Sequence, residues 1–98
     1  VPDFQGDEES IRTVLEARPE IYNHNTETVP RLYKKARPGG RYERVLEIFR
    51  TSKRIAPDIP TKTGIILGMG ETNEEVLQTM RELRTVDVDI LTLGQYLK

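Results

Sequence analysis

Asn23, Asn25 and Glu27 alternate along a polar stretch, with His24, Thr26 and Thr28 between and after them. The two amides offer donors and acceptors at once, whereas an ionised carboxylate only accepts. That set suits the hydroxyls of a ribose or the ammonium of an amino acid. Lys62 adds a cation able to meet a carboxylate or a phosphate, and Gln95-Tyr96 forms a further polar corner. Gly64, Gly68 and Gly70 allow a flat ring to lie against bare backbone. No nucleophile stands beside a base, because Thr61 and Thr63 have no histidine or lysine arranged to activate them. The chemistry on offer is recognition of a small polar ligand, and no catalytic residue is assigned.

Each feature also has a plainer use. Asn23 and Asn25 serve equally as turn residues. Glu27 and Glu71 complement the positive end of a helix that follows them. Gly68 and Gly70 fit an ordinary turn, and His24 a hydrogen-bonded structural position. The Gly-x-Gly pair lacks the further spacing of a dinucleotide fingerprint or of a phosphate loop with its lysine.

The elements that must hold these residues are legible from periodicity. Asp7-Glu8-Glu9 opens a helix whose apolar face is Ile11, Val14 and Leu15. Glu20 to Asn23 reads as a short strand leading into the polar corner. Thr28 is placed to cap a second helix, with Pro30 in its first turn and Val29, Leu32, Tyr33 and Ala36 inward. Arg37-Pro38-Gly39-Gly40 turns the chain into a longer helix from Tyr42 to Ala56, with Tyr42, Val45, Leu46, Phe49 and Ala56 inward. Thr61 to Leu67 is a strand with the β-branched run Ile65-Ile66. Thr72 and Glu75 have capping-box spacing, and Val76, Leu77, Met80 and Leu83 mark the apolar face of the helix they begin. Asp89 to Gln95 is the last strand, and Val1 to Phe4 has the look of a strand's tail. Strands alternating with amphipathic helices imply an α/β class with a parallel sheet. The apolar fraction of 36% is thin for a sheet covered on both faces, which favours a piece of a larger barrel.

Composition narrows the function classes. The chain has no cysteine and one histidine, so these residues offer no disulfide, no thiolate ligand for a metal or cluster, and no convincing zinc site. No apolar run reaches the roughly 20 residues of a membrane span, and the first residues do not resemble a signal peptide. Residues 31–54 carry nine bases against two acids, while residues 1–30 carry seven acids against two bases. A solvated basic helical face is one reading, and a docking surface for an acidic partner another. Nucleic acid is disfavoured, because Tyr33, Tyr42 and Phe49 sit at core spacing rather than as a stacking platform.

Taken together, the corners closely resemble the lipoyl synthase family. The resemblance is carried by Asn23-His24-Asn25-Thr26-Glu27-Thr28-Val29-Pro30-Arg31-Leu32-Tyr33, by Arg37-Pro38-Gly39, by Thr61-Lys62-Thr63-Gly64 through Leu67-Gly68-Met69-Gly70-Glu71, and by Thr92-Leu93-Gly94-Gln95-Tyr96-Leu97. Gly64-x-Ile66-x-Gly68-x-x-Glu71 also matches a fifth-strand motif of radical S-adenosylmethionine enzymes at large. The resemblance implies part of a (β/α) partial TIM barrel, residues 1–98 forming one fragment from the end of its third strand through its sixth. It implies an intact enzyme that inserts two sulfur atoms at C6 and C8 of a protein-bound octanoyl chain. The cofactors implied are S-adenosylmethionine and two 4Fe–4S clusters, one to start the radical and one to give up sulfur. An octanoylated lipoyl-carrier protein or domain and a reductant protein are the implied partners, in the cytoplasm or the mitochondrial matrix.

By the same resemblance, Asn23, Asn25 and Glu27 fall where the superfamily contacts ribose and methionine. Lys62, Thr63 and Gly64 begin the fifth strand, and Ile66 with Gly68 would lie near the adenine. Gln95, Tyr96 and Leu97 would present backbone groups to the adenine edge. Arg31 and Arg37 would lie toward the methionine carboxylate or the auxiliary cluster. Thr63 replaces a commoner serine but keeps the hydroxyl. The family's two cysteine triplets and its C-terminal serine ligand are absent, so the chain alone is expected to be inert. The alternatives are another sulfur-inserting enzyme akin to biotin synthase, which the Asn23–Tyr33 segment opposes, and a catalytically dead interaction domain.

Overall fold

Glu8 and Glu9 occupy the first turn of helix α1 (Glu8–Glu16), where acids complement the helix dipole, and Asp7 is its N-cap. The computed structural model of the chain describes residues 7–33 and 41–95. After α1 come strand β1 (Tyr22–Asn23), a 3-10 turn (Pro30–Leu32), helix α2 (Tyr42–Ile55), strand β2 (Thr61–Leu67), helix α3 (Asn73–Thr85) and strand β3 (Ile90–Gln95). The expected strand tail at Val1 to Phe4, and Ala36, Arg37, Tyr96 and Leu97, lie outside the described residues.

The three strands form one sheet in the order β1-β2-β3, with both pairs parallel. The alternation of parallel strands with helical crossovers expected from the sequence is present. Two faces follow from the pleat. Thr61, Thr63 and Ile65 of β2 are buried, while Lys62, Gly64 and Ile66 between them are only half-buried. The buried face meets all three helices in a core that includes Ile11, Leu15, Tyr22, Val45, Ile48, Phe49, Ile65 and Leu83. The other face is open, and it carries the polar residues.

Three expectations need correction. Thr28 does not cap the element after it: the N-cap position belongs to Val29 without a side-chain hydrogen bond, and Thr28 is buried. In α2, Ile48 joins Val45 and Phe49 in the core, whereas Leu46 is only partly covered. In α3, Leu83 and Thr79 face inward, while Leu77 is 44% exposed and Val76 and Met80 are half-buried. The 3.6-residue period finds the apolar stripe, but the packed line down the helix is set one position away from its centre.

Part of the uneven charge is answered within the fold. Arg54 pairs with Glu8, and Lys53 Nζ lies 2.7 Å from Asp89, which also accepts the Thr61 N–H at 2.8 Å. The basic face of α2 is therefore in part a tie to α1 and to the approach of β3, which weakens the docking reading. No helix among the described residues is long and apolar enough to cross a membrane.

Candidate functional site

The site begins where β1 loses regular pairing. Tyr22 pairs with Thr61 and Asn23 with Lys62, but Glu27 bridges Ile65. The corner therefore carries one residue more than β2 over the same stretch, which makes it a bulge. The Thr26 and Glu27 N–H groups both donate to the Gly64 carbonyl, at 3.1 and 3.0 Å, and the Ile66 N–H donates to Glu27 at 2.7 Å. Glu27 takes the extra residue's strain, with φ of 78° in the left-handed region. Such bulges are frequent beside ligand sites because they re-aim side chains.

Burial alternates through the corner. Tyr22, His24, Thr26 and Thr28 are buried; Asn23 and Asn25 are exposed, and Glu27 is half-buried. His24 is buried and packs edge-on against Phe49, with ring centroids 6.2 Å apart. Burial raises the Tyr22 phenol to about 12, so it stays protonated.

Gly64 is the centre of the open face. A Cβ built on it would stand 3.1 Å from Asn25 Oδ1 and 3.0 Å from Thr92 Oγ1. Asn25, from the corner after β1, and Thr92, from β3, therefore lean over the Gly64 backbone in a polar row across the sheet. Thr92 pairs with Gly64 in register; it opens the Thr92–Leu97 motif, but the sequence alone assigns it no place in the site. Only the register of β3 reveals it. Lys62 and Ile66 share the half-buried alternation of Gly64, and Asn23 stands opposite Lys62.

Thr63 is placed differently. It is fully buried on the helix side, its hydroxyl 2.7 Å from that of Thr26 and accepting the Thr26 N–H at 3.0 Å. It ties the corner to β2 and does not line the open face with its side chain. Gln95 ends β3 opposite Leu67, at the carboxyl edge. Tyr96 and Leu97 lie outside the described residues.

The loop after β2 closes on itself. Gly68 and Gly70 have φ of 96° and 111°, values that side chains rarely adopt. The Glu71 carboxylate accepts the Gly68 N–H at 3.0 Å and the Met69 N–H at 3.1 Å. Those two bonds hold its pKa below the usual carboxylate range and occupy the amides an anion would need. Glu71 is thus a brace of the loop. The capping box forms as expected: the Glu75 N–H donates to Thr72 Oγ1 at 3.1 Å and the Thr72 N–H to Glu75 at 2.8 Å. Thr72→Ala should lower unfolding free energy by about 1 kcal/mol. Thermal or urea denaturation checks it, and an unchanged midpoint would show that the cap contributes nothing.

Arg31 reaches across to this loop rather than into the open face. Its guanidinium binds Glu75 at 2.7 and 2.9 Å and the Gly70 carbonyl at 2.8 Å.

The profile of the Radical SAM superfamily matches residues 1–83. The lipoyl synthase of Koribacter versatilis is 59% identical over 98 residues, taking in 100% of this chain and 32% of that protein. The lipoyl synthases of Caldanaerobacter subterraneus and Rubrobacter xylanophilus are each 54% identical, over 100% and 99% of the chain and 34% and 30% of their own lengths. The chain thus spans about a third of the length of the curated relatives it matches. The superfamily match runs through both the Asn23–Glu27 corner and the Gly64–Glu71 stretch, so the chain belongs to the radical SAM superfamily.

Proposed function

We propose that this chain is the part of a lipoyl synthase that forms the nucleoside wall of an S-adenosylmethionine pocket, from the end of the third strand through the sixth of a partial barrel. The observation that carries the reading is the row Asn25–Gly64–Thr92, where two hydrogen-bonding side chains flank a backbone with no Cβ. Such a row gives a ribose its polar partners, and the missing Cβ is what lets the two side chains close over the strand. Asn23 and Glu27 extend the row along the corner, and Ile66 with Gly68 supplies the adenine side. Lys62 places a cation opposite Asn23 on the same face.

The residues fit the nucleoside and sulfonium ligand and do not fit an iron–sulfur cluster. The chain has no cysteine, and no three metal-binding side chains converge among the described residues. When bound, S-adenosylmethionine supplies the means of hydrogen abstraction from an unreactive carbon. These residues bind it, orient its ribose and shield one side from water. An octanoylated carrier is the substrate in this reading, and an electron-donor protein the second partner.

The test uses the full-length protein that contains this chain, with its clusters reconstituted. It should release 5′-deoxyadenosine from S-adenosylmethionine and add two sulfur atoms to an octanoylated carrier peptide, read by mass spectrometry. Cleavage of S-adenosylmethionine with the octanoyl chain left unmodified would assign the chain to a different reaction within the superfamily.

A further inference from the structure

Two separate segments line the candidate pocket, the bulged corner after β1 and the glycine loop after β2. Beyond the sheet ladder, the Arg31 side chain joins them. Arg31 sits in the 3-10 turn just past the corner, where Pro30 fixes the backbone and the buried Val29 and Leu32 anchor it. Its Nε donates to Glu75 Oε2 at 2.7 Å, and its Nη2 donates to Glu75 Oε1 at 2.9 Å and to the Gly70 carbonyl at 2.8 Å. Glu75 Oε1 also accepts the Thr72 N–H, so the same carboxylate belongs to the cap of α3. Gly70 is one of the two glycines that turn the loop. A single guanidinium thus ties the corner to both the loop and the helix start.

We propose that Arg31 is a positioning residue: its clasp on Glu75 and Gly70 fixes the separation between the ribose-binding corner and the adenine-side loop. The inference rests on reading this pocket as one for S-adenosylmethionine. Arg31 itself touches neither wall's ligand-facing groups, so its effect passes through the backbone it holds. Exposed ion pairs are usually worth little to stability. The value of this one lies in its fork geometry, which constrains direction as well as distance. Arg31 holds the Glu75 carboxyl down at about 2. A depressed carboxylate keeps its contribution above the ordinary range and loses it only as pH falls toward the folded value, so the clasp is fully formed at neutral pH.

The experiment uses the intact, cluster-loaded enzyme and three variants. Arg31→Ala removes the clasp. Arg31→Lys keeps the charge without the fork. Glu75→Gln keeps an acceptor for the Thr72 N–H but removes the charge that the guanidinium grips. Arg31→Ala should raise KM for S-adenosylmethionine about tenfold with kcat within about twofold, the pattern of lost binding geometry. Arg31→Lys and Glu75→Gln should move KM in the same direction by about threefold. Affinity for 5′-deoxyadenosine, which spans both walls, should fall in parallel, whereas affinity for methionine, which rests on one, should not. An unchanged KM in Arg31→Ala, an equal loss of methionine binding, or a fall in kcat that matches the rise in KM would overturn the proposal. Gly64→Val, measured alongside, separates the two levels of failure. If it weakens binding about a hundredfold while the Arg31 variants behave normally, the pocket stands and the clasp does not. If it too binds normally, the pocket assignment fails with it.

Discussion

Gly64→Val should weaken S-adenosylmethionine binding by the full-length enzyme about a hundredfold while leaving its fold intact. Even a single carbon at this position would approach Thr92 Oγ1 to 3.0 Å and Asn25 Oδ1 to 3.1 Å, closer than side-chain carbons normally come. Both obstacles are polar groups that the reading assigns to the ligand, so neither moves aside without losing its role. Gly64→Ala should weaken binding about tenfold and Gly64→Val about a hundredfold, or about 1.4 and 2.8 kcal/mol. The substitutions need not destabilise the strand, since glycine is itself a poor strand residue, less stable than alanine by about 0.5–1 kcal/mol. The side chain would project onto the open face and away from the buried Thr63 and Ile65. Titration calorimetry against S-adenosylmethionine checks the binding, and a thermal melt checks the fold. Normal affinity in Gly64→Val would remove the Asn25–Gly64–Thr92 row from the site.

The contrast between Gly64 and Thr63 shows what a sequence can and cannot convey here. The apolar run at Ile65 and Ile66 declares a strand, and the glycines and capping box after it declare a turn into a helix. Local chemistry is enough for that, because each signal lies within a few residues of the structure it produces. Which side of the strand faces the ligand is not local. Thr63 and Gly64 point to opposite faces, and only packing against the helices decides that the face of Thr63 is the closed one. The site position of Thr92 is non-local for a related reason: its place beside Gly64 depends on the register of β3, set by pairing between residues 28 positions apart. The Arg31–Glu75 clasp joins residues 44 positions apart and leaves no periodic trace. Leu77 shows the opposite limit. Its spacing announces an apolar stripe, yet what covers a stripe is decided by neighbours, and among the described residues it stands 44% exposed.

Glu27 offers the sharpest separation of stability from function. A glutamate with φ of 78° is held where glycine would sit at ease, at the residue where the corner outruns β2 by one position. The left-handed region disfavours side chains by about 1–2 kcal/mol. Part of what glycine gains there is returned through its freer unfolded chain, about 0.4–1 kcal/mol. Glu27→Gly should therefore be more stable than Glu27→Ala by about 0.5–1 kcal/mol, since alanine keeps the strain that glycine relieves. Both variants should lose affinity for S-adenosylmethionine to the same extent, because both lack the acceptor that the reading assigns to the ligand. A protein selected only for stability has no reason to retain glutamate here; one that needs an oxygen aimed from a bulge does. The measurement pairs unfolding midpoints with dissociation constants for the two variants. Equal midpoints would show that the backbone relaxes without strain. Unchanged affinity in Glu27→Ala would take Glu27 out of the pocket and leave its conformation without a functional account.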